Sequence, residues 1–436
     1  MIQTECGIYA VISTLPITHN KIITGLKNLQ HRGRDSFGVS YYNKEIKVEK
    51  HQDLVKNLDT NATSKIWVGH VRYSTSTKMM KYCQPIIGEN KKFSIVHNGN
   101  IPEKLWKKFY FEHDIYDSDT YKLKLFIEHN RKHGDSLESS LIKIIKEIEG
   151  SYCILIQTNE YIYALRDRHG VRPLGYQKDN EKIIISSESK DPNCIDILPG
   201  SLIKINIETL EVNNIYKHEE INKSKCVFEY IYFMRETTHA DNVSVKNWRV
   251  EIGKKLVKQT EELIKNLDKG NILVCGVPTS GIVYGESYSY YSGLEYCQFL
   301  KKRKDYPHRT FILENNQKRL SACEKKYFID ENLENKTLIL IDDSVVRGNT
   351  MKYLVQFIRK CNPKEIHLLV ASPPIKNPCD YGVDFPDIEE LIVNKISKEE
   401  LTNYFKLDSI TYLELESLKE MDQELCSGCF TGNYMF

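Results

Sequence analysis

Residues 338–350 constrain the fold of this chain more than any other part of its sequence. Residues 338–341 are all large and aliphatic, which predicts a strand buried on both faces within a parallel sheet. Two carboxylates, Asp342 and Asp343, end this strand, and a short loop follows them. The apolar spacing after the loop is helical, so the sequence predicts a strand, a loop and a helix that begins at Thr350.

A turn of this kind is a potential binding site for a phosphate group. Backbone N–H groups at Arg347, Gly348 and Asn349 can point at the anion, and the dipole of the following helix favours its negative charge. The paired carboxylates suit the vicinal hydroxyls of a ribose, with Mg²⁺ nearby. An Asp pair after a strand also occurs in ordinary surface turns, so the pair by itself leaves both interpretations open.

The complete string from Leu338 to Thr350 resembles the phosphoribosyl pyrophosphate (PRPP) motif of the type I phosphoribosyltransferases. Asn349 stands where that motif usually has Thr. The resemblance implies that Mg²⁺ is held near the two carboxylates. It also implies that PRPP is bound by a set of strand-end, loop and helix residues, namely Asp342, Asp343, Ser344, Arg347, Gly348, Asn349 and Thr350.

Composition and charge argue against several classes of function. The chain has 436 residues, for which two domains are the natural expectation. Its 61 basic and 59 acidic residues give a net charge of +2, so there is no electrostatic case for binding nucleic acid or an anionic membrane. No apolar run reaches the length of a membrane span, and the first residues resemble neither a signal peptide nor a transit peptide. Twelve cysteines without a secretory signal predict a reducing compartment, here the cytoplasm.

A cysteine close to the N-terminus, Cys6, precedes the apolar alternation of a predicted strand. Such a residue is usually a small buried hydrophobe. A different chemistry becomes available if residues 1–5 are removed, because Cys6 would then carry both a thiol and a free α-amino group. The pKa of an α-amino group is about 8, so that group could serve as a base for the thiol.

Four further segments follow Cys6 and decide between these interpretations. Each alone could be a loop with a glycine turn, and an Asn-Gly pair is also a hairpin motif. In series behind an N-terminal cysteine they resemble the glutamine amidotransferase domain of the N-terminal nucleophile (Ntn) hydrolases. In order, the segments are His31-Arg-Gly-Arg-Asp-Ser-Phe-Gly38, Gly69-His-Val-Arg-Tyr-Ser-Thr75, His97-Asn-Gly-Asn100 and Ser118-Asp-Thr120.

This resemblance assigns roles to five residues. Cys6 would be the nucleophile that attacks the amide of glutamine, and Asn98 with Gly99 would form the oxyanion hole. Arg72 would bind the α-carboxylate of glutamine, because a guanidinium can hold a carboxylate with two parallel hydrogen bonds. Asp119 would bind the α-ammonium group.

The second domain begins, by resemblance, at Cys226. Residues 208–225 are polar and are predicted to connect the domains, and the segment from Cys226 onward is similar to the entry into the second domain of the glutamine PRPP amidotransferases. Farther on, residues 271–277 predict a strand that ends in a turn with Ser280 and Gly281. Small residues let the backbone approach an anion. The resemblance implies that this turn contacts pyrophosphate, with Ser280 also on the side of Mg²⁺.

A basic stretch covers residues 301–312 and continues to Lys325 and Lys326. It is compatible with a solvated charged surface. Its similarity to the amidotransferase family, carried by residues 309–312, instead implies a loop that closes over PRPP and excludes water from C1 of the ribose.

Four cysteines form a further group. Cys426 and Cys429 make a Cys-x-x-Cys pair, which by itself is ambiguous between metal binding, redox work and no function. Together with Cys226 and Cys379, they stand where the cluster-bearing branch of the amidotransferase family holds a [4Fe–4S] cluster. A zinc site with four cysteine ligands is the alternative. The cluster would be structural, since the predicted chemistry needs no electrons.

The resemblance to the glutamine PRPP amidotransferases covers nearly the whole chain, and it implies a two-domain protein that combines α/β and α+β folds. Residues 1–5 would be a propeptide. Residues 6–225 would form the Ntn-hydrolase αββα sandwich, and residues 226–436 a type I phosphoribosyltransferase domain with a parallel sheet and a C-terminal cysteine segment.

The implied function is to make 5-phosphoribosylamine, glutamate and pyrophosphate from glutamine, PRPP and water, as the first step of purine synthesis. Ammonia would pass between the domains. Purine nucleotides as feedback inhibitors and a homotetramer are further implications. The alternatives are an inactive paralogue and a regulatory PRPP-binding protein, which PRPP-dependent glutaminase activity would exclude.

Overall fold

The computed structural model describes residues 6–73, 80–106, 118–303 and 324–435. Its first half contains four helices, α1 (Asn20–Asn28), α2 (Glu103–Trp106), α3 (Asp119–Lys132) and α4 (Leu137–Glu147). The strands of this half are β1 (Gly7–Thr18), β2 (Ser36–Asn43), β3 (Glu45–His51), β4 (Thr63–Arg72), β5 (Ile86–Ile87), β6 (Ser94–Asn100), β7 (Ser151–Gln157), β8 (Tyr161–Arg166), β9 (Gly175–Lys178), β10 (Lys182–Ser186), β11 (Ile195–Asp196), β12 (Ser201–Asn206) and β13 (Val212–Lys217).

These strands form two antiparallel sheets that lie face to face. The strand order is β11-β9-β10-β1-β4-β2-β3 in one sheet and β13-β12-β8-β7-β6-β5 in the other. Successive side chains of a strand point to opposite faces, and β1 follows this rule. Ile8 and Ile12 lie in the apolar layer between the sheets, whereas Tyr9 packs in the layer beneath α1.

Helices cover the outer face of each sheet. Ile22 and Leu26 of α1 pack against the first sheet, and Leu123 of α3 and Ile144 of α4 pack against the second. The resulting layers are helix, sheet, sheet and helix. The predicted αββα sandwich is therefore confirmed.

In the second half, the described residues form a π-helical turn (Glu229–Phe233) and the helices α5 (Val245–Gln259), α6 (Glu261–Lys265), α7 (Ile282–Ser292), α8 (Asn349–Arg359), α9 (Ile392–Lys395), α10 (Lys398–Phe405), α11 (Leu415–Met421) and α12 (Gly428–Thr431). Its strands are β14 (Lys225–Cys226), β15 (His239–Ala240), β16 (Val243–Ser244), β17 (Ile272–Gly276), β18 (Glu295–Tyr296), β19 (Leu300–Lys302), β20 (Tyr327–Ile329), β21 (Thr337–Asp342), β22 (Glu365–Val370), β23 (Ser409–Tyr412) and β24 (Leu425–Cys426). Short 3₁₀ turns also occur, over Met80–Tyr82, Glu89–Lys91, Lys269–Asn271 and Ile388–Glu390.

Five of these strands form a parallel sheet in the order β18-β17-β21-β22-β23. Both faces of β21 are buried, as its unbroken aliphatic run predicts. Ile339 and Ile341 pack with α5 and α7 on one face, and Leu338 and Leu340 pack with α8 and α10 on the other. The predicted parallel-sheet domain is confirmed.

One prediction about the connection between the halves is wrong. Residues 208–225 are not a continuous linker, because β13 lies within them and pairs with β12 at the edge of the second sheet. An edge strand is exposed on much of its surface, so Asn213 and Asn214 are tolerated there, and their polarity hides the strand from a sequence pattern.

Residues near the C-terminus also connect the two halves. β14 pairs in parallel with β24, so that Cys226 lies opposite Cys426. The Asn100 amide nitrogen donates to the backbone carbonyl of Asp380 at 2.9 Å. The region of Cys379 and Cys426 therefore packs against the end of β6.

Candidate active sites

The predicted nucleophile, Cys6, lies directly before β1, at the end where β1 pairs with β4. In that antiparallel pair Gly7 is opposite Val71, so Cys6 comes beside the residue that follows Val71. The Cys6 thiol donates to the backbone carbonyl of Tyr73, with 3.9 Å between Sγ and O. Strand pairing thus brings Cys6 next to Arg72, the residue predicted to bind a carboxylate.

The predicted oxyanion residues lie inside β6 and not in a hairpin turn. Asn98 pairs with Cys153 of β7. The neighbouring Gly99 has φ 144°, and a Cβ atom there would lie 2.0 Å from the carbonyl oxygen of Ser151, so only glycine fits this position. The amide nitrogen of Asn98 is buried and has no hydrogen-bond partner among the described residues. A buried donor of this kind is available to a ligand oxygen.

Asp119 begins α3 and is held against the chain that follows β6. One carboxylate oxygen accepts from the backbone N–H of Ile101 at 2.9 Å, and the other accepts from the Trp106 indole at 3.3 Å. Burial nevertheless raises the pKa of Asp119 to about 6. A cation would stabilise the charged form of this carboxylate, which fits the predicted contact with an α-ammonium group.

Two buried histidines without a predicted role precede the site residues in their strands, His70 before Arg72 in β4 and His97 before Asn98 in β6. Burial, followed by the positive charge of Arg72, lowers the pKa of His70 to about 3. The pKa of His97 is lowered to about 4, again mainly by burial. Both imidazoles are neutral near pH 7, so they do not compete with Arg72 for a carboxylate.

The second predicted site lies where β17 and β21 end side by side. Ser280, in the turn after β17, donates its hydroxyl to the carboxylate of Asp343. Burial raises the pKa of Asp343, and burial followed by the charge of Asp343 raises the pKa of Asp342. Ligands bind at this edge in open parallel sheets. A divalent cation would stabilise the two buried carboxylates, so their burial and oxygen chemistry fit Mg²⁺.

The loop between β21 and α8 has the predicted form, but the helix begins one residue earlier than expected. α8 begins at Asn349, because Gly348 takes the left-handed conformation, with φ 72°, immediately before it. The Arg347 guanidinium turns outward, and its Nε donates to Glu390 at 2.7 Å. On the facing turn a Cβ atom at Gly281 would lie 2.3 Å from the carbonyl oxygen of Ile341. Two small-residue turns therefore meet beside the carboxylates.

The four predicted cluster ligands come together in one apolar environment. Cys226 and Cys429 are buried in the hydrophobic cluster of the parallel sheet, and Cys379 and Cys426 pack against it. Burial raises the pKa of Cys429, and the other three cysteines raise it further. Four thiol groups in an apolar pocket suit an iron–sulfur cluster as a donor set. In the described residues, however, no three His, Cys, Asp or Glu side chains are arranged to hold a metal ion.

A buried ion cluster, which sequence reasoning missed, connects Cys6 with the second half. We define the ion cluster as Arg32, Arg172, Glu188 and Glu229. Arg32 contacts both carboxylates, and Arg172 lies 3.5 Å from Glu229. Arg32 lies in the segment 31–38 and Glu229 in the segment from Cys226 onward, but no spacing rule connects residues so far apart along the chain.

Two predictions fall on residues outside the described ranges. The predicted propeptide is residues 1–5, and residues 304–312 make up most of the predicted closing loop. At the end of that basic stretch Lys326 is buried, and its charge lowers the pKa of Asp342 against the larger effect of burial. Among the helices in the described ranges, none combines the length and the apolar character that a membrane crossing requires.

Two family models match this chain, one for each half. The model of a glutamine amidotransferase domain matches residues 5–249, and the model of a phosphoribosyl transferase domain matches residues 249–394. The residues around Cys6 and around Asp342 thus fall within the model expected for each.

Curated relatives match this chain along nearly all of its length. The amidophosphoribosyltransferase of Methanocaldococcus jannaschii is 33% identical and covers 98% of this chain and 97% of its own length. The amidophosphoribosyltransferase of Homo sapiens is 32% identical, over 97% of this chain and 90% of its own. Among solved structures, glutamine PRPP amidotransferase from B. subtilis, complexed with ADP and GMP, is 27% identical and has a TM-score of 0.85 over 99% of this chain and 97% of that one.

Proposed function

This chain belongs to the amidophosphoribosyltransferase family, and we propose that the sites at Cys6 and at Asp342 carry out the two halves of one reaction. The enzyme makes 5-phosphoribosylamine, glutamate and pyrophosphate from glutamine, PRPP and water, the first step of de novo purine synthesis. The named full-length relatives favour this function over an inactive or regulatory paralogue.

The first half-reaction is the hydrolysis of glutamine. Arg72 binds the α-carboxylate and Asp119 binds the α-ammonium group, so the side-chain amide is directed toward Cys6. The thiolate attacks the amide carbon, and the oxyanion is stabilised by the amide of Asn98 and the backbone N–H of Gly99. As the intermediate collapses, the α-amino group of Cys6 gives the proton that it took from the thiol to the departing nitrogen. The C–N bond breaks, ammonia leaves and a thioester remains on Cys6. Water then hydrolyses the thioester to glutamate and restores the thiol.

The second half-reaction occurs at the edge of the parallel sheet. Asp342 and Asp343 bind the ribose hydroxyls, and the turn of Ser344, Arg347, Gly348, Asn349 and Thr350 holds the 5-phosphate with backbone N–H groups and the dipole of α8. Ser280 and Gly281 face the pyrophosphate. Ammonia attacks C1 of the ribose, the bond from C1 to the pyrophosphate oxygen breaks, and the amine loses a proton.

We assign the domains as residues 6–225 and 226–436, with residues 1–5 removed on maturation. The change of packing supports this boundary, since β13 ends the sandwich and the segment after β14 joins the cluster of the parallel sheet. Ammonia passes through the contact between the domains, which shelters it from water.

Two inorganic groups complete the proposal. Mg²⁺ at Ser280, Asp342 and Asp343 would neutralise the charge that develops on the departing pyrophosphate. A [4Fe–4S] cluster on Cys226, Cys379, Cys426 and Cys429 would have a structural role and join β14, β24 and the chain between them. Zn²⁺ is the less favoured occupant, because a single ion needs all four sulfur atoms around one centre.

We further propose that purine nucleotides inhibit the enzyme, that it assembles as a homotetramer and that it works in the cytoplasm. The first proposal is supported by the B. subtilis relative, which was solved in complex with ADP and GMP. The cytoplasmic location is supported by the twelve cysteines, because thiols stay reduced in that compartment.

The observation that carries the function is the placement of Cys6 beside Arg72, with the unpaired Asn98 amide on β6 of the facing sheet and the buried Asp119 at the start of α3. The test measures glutamate and pyrophosphate release in parallel, with glutamine or ammonia as the nitrogen source. We expect equal release of both products from glutamine and PRPP. Mass spectrometry of the active enzyme should give a chain that starts at Cys6; an active enzyme with an intact Met1 would contradict the nucleophile.

A further inference from the structure

Arg32 is the side chain that fixes the main chain of Cys6. Its Nε donates to the Cys6 carbonyl oxygen at 3.1 Å. Its two terminal nitrogens are also engaged: Nη1 donates to Glu188 at 2.8 Å and to Glu229 at 2.9 Å, and Nη2 donates to Glu229 at 2.6 Å. The guanidinium is a rigid planar fork, so the position of its carboxylate partners determines where Nε points.

Glu229 comes from the other domain. It begins the π-helical turn Glu229–Phe233, and its side chain is 1% exposed. We propose that Glu229 is a positioning residue for Cys6, which it holds through Arg32, so that the glutamine site is completed by a side chain of the phosphoribosyltransferase half. This inference rests on the proposed role of Cys6 as the nucleophile.

Glu188 cannot replace Glu229 in this role, because its carboxylate is already occupied. One oxygen accepts from His31 at 2.8 Å in addition to Arg32. The other oxygen accepts from the backbone N–H of Arg235 at 3.0 Å and from the hydroxyl of Thr238 at 2.7 Å. These donors fix Glu188 in place, so it cannot move to hold both ends of the Arg32 fork.

The π-helical turn is itself held by residues of the second domain. Arg249 donates to the carbonyl oxygens of Tyr230 and Met234 at 2.8 and 2.7 Å. The hydroxyl of Tyr284 donates to the backbone carbonyl oxygen of Ile231 at 2.9 Å. Tyr284 belongs to α7, the helix that follows the Ser280 turn. The position of Glu229 is thereby tied to the element that carries part of the second site.

A second buried ion pair across the same boundary provides a matched control. Arg166 of β8 donates to both carboxylate oxygens of Asp241, at 2.7 and 3.0 Å. The pair has the same bidentate form as Arg32 with Glu229, and none of its hydrogen bonds involves Cys6. Asp241 also accepts from the hydroxyl of Tyr230 at 3.2 Å, a bond that the side-chain oxygen of asparagine can keep. Asp241→Asn therefore tests the loss of a cross-boundary ion pair that has no direct contact with Cys6.

The experiment compares full-length Glu229→Gln, Arg32→Lys and Asp241→Asn. The readouts are the rate at which 6-diazo-5-oxo-L-norleucine, a reactive glutamine analogue, alkylates Cys6, and the ratio of glutamine-dependent to ammonia-dependent turnover. For Glu229→Gln and Arg32→Lys we expect alkylation and the turnover ratio to fall together by roughly tenfold to a hundredfold, since a small displacement of a reacting group has effects of this size. The loss should be in kcat, with the KM for glutamine nearly unchanged. Asp241→Asn should keep the wild-type ratio.

Each other outcome has a defined meaning. Unchanged alkylation in Glu229→Gln and Arg32→Lys, or an equal loss in Asp241→Asn, would overturn the positioning role. The positioning role would also be overturned if Arg32→Lys and Glu229→Gln both lost ammonia-dependent turnover while Asp241→Asn stayed active. The first two substitutions would then act on folding. Failure of the reagent to label Cys6 in the wild-type enzyme would instead contradict the nucleophile, and with it the proposed function.

Discussion

Asn98 and Asp119 are two buried polar residues of the proposed glutamine site whose side chains a ligand can stabilise. The amide nitrogen of Asn98 is buried and unpaired within the described residues, and the carboxylate of Asp119 is buried enough to raise its pKa. An unsatisfied buried polar group costs about 1–3 kcal/mol. In the function that we propose, glutamine would supply an amide oxygen to Asn98 and an ammonium group to the carboxylate of Asp119. Part of its binding free energy would then come from relieving these costs.

The nucleophile gives the most direct prediction. Cys6→Ala removes the thiol, and we expect glutamine-dependent turnover to fall on the order of 10⁶-fold, the loss typical when a covalent nucleophile is removed. Ammonia-dependent turnover should remain near the wild-type rate, because the second site needs no thiol. Product assays with each nitrogen source measure both. Loss of both activities would mean that Cys6 is structural.

The pKa of Asp119 predicts a pH dependence. Burial raises it to about 6, so the carboxylate is neutral below that pH and charged above it. Only the charged form pairs with an α-ammonium group. We therefore expect kcat/KM for glutamine to fall as the pH drops through about 6, while ammonia-dependent kcat/KM for PRPP shows no such step. A flat glutamine profile between pH 5 and 7 would contradict the assignment.

Asp342→Asn tests the second site. The change removes one charge from the buried pair and weakens the hydrogen bonds to the ribose. Hydrogen bonds to a charged group contribute about 1.5–3 kcal/mol, so the affinity for PRPP should fall roughly tenfold to a hundredfold. The loss should be equal with glutamine and with ammonia. Unchanged PRPP kinetics would remove Asp342 from the site.

Single elements explain which parts of the fold the sequence could predict. β21 was predictable because both its faces are buried, and the loop of residues 343–348 because its residue types match its conformation. β13 was not, since an exposed edge strand has no apolar alternation. The π-helical turn at Glu229 was also unpredictable, because its conformation depends on hydrogen bonds from Arg249 and Tyr284, which lie elsewhere in the chain.

Two glycines with nearly the same backbone angle give a prediction at this scale. Gly348 has φ 72° and Gly293 has φ 70°, but a Cβ atom would lie 2.8 Å from Phe405 at the first and meets nothing within 4 Å at the second. Gly293→Ala should destabilise the protein by about 1–2 kcal/mol through backbone strain alone. Gly348→Ala should destabilise it more, by the clash with Phe405, and should also raise the KM for PRPP.

Thermal unfolding and PRPP kinetics of the two variants separate these effects. Gly293 lies outside the phosphate turn, so its replacement serves as the control for backbone strain. An equal loss of stability in both variants, with an unchanged KM for PRPP in Gly348→Ala, would contradict the role of the turn.

The whole molecule is held together by contacts that no local pattern reveals. Arg32 and Glu229 contact each other across the domain boundary, as do Arg172 and the backbone of Tyr381. The motifs predicted the fold of both domains, and they named residues that the structure brings together, Cys6 with Arg72 and Ser280 with Asp343. The pairing between domains was not predictable, because partners distant in sequence leave no periodic trace.

The four cysteines give a prediction for the assembled protein. We expect iron and acid-labile sulfide in equal amounts after anaerobic purification, with a brown chromophore. Cys426→Ser should lower both, whereas Cys361→Ser, which lies in the other apolar cluster, should lower neither. Removal of the cluster should lower the melting temperature and leave the initial turnover rate largely intact. Zinc in place of iron would contradict the cluster.

The pairing of β14 with β24 has a consequence for biosynthesis. A ribosome releases residues 225–226 long before it releases residues 425–426. The sandwich can therefore finish folding before β24, the strand that pairs with β14, has been synthesised. During that interval Cys226 and its apolar neighbours stay uncovered. In a stalled or prematurely terminated chain this apolar surface would stay exposed. Chaperones and proteases could then recognise incomplete copies by it.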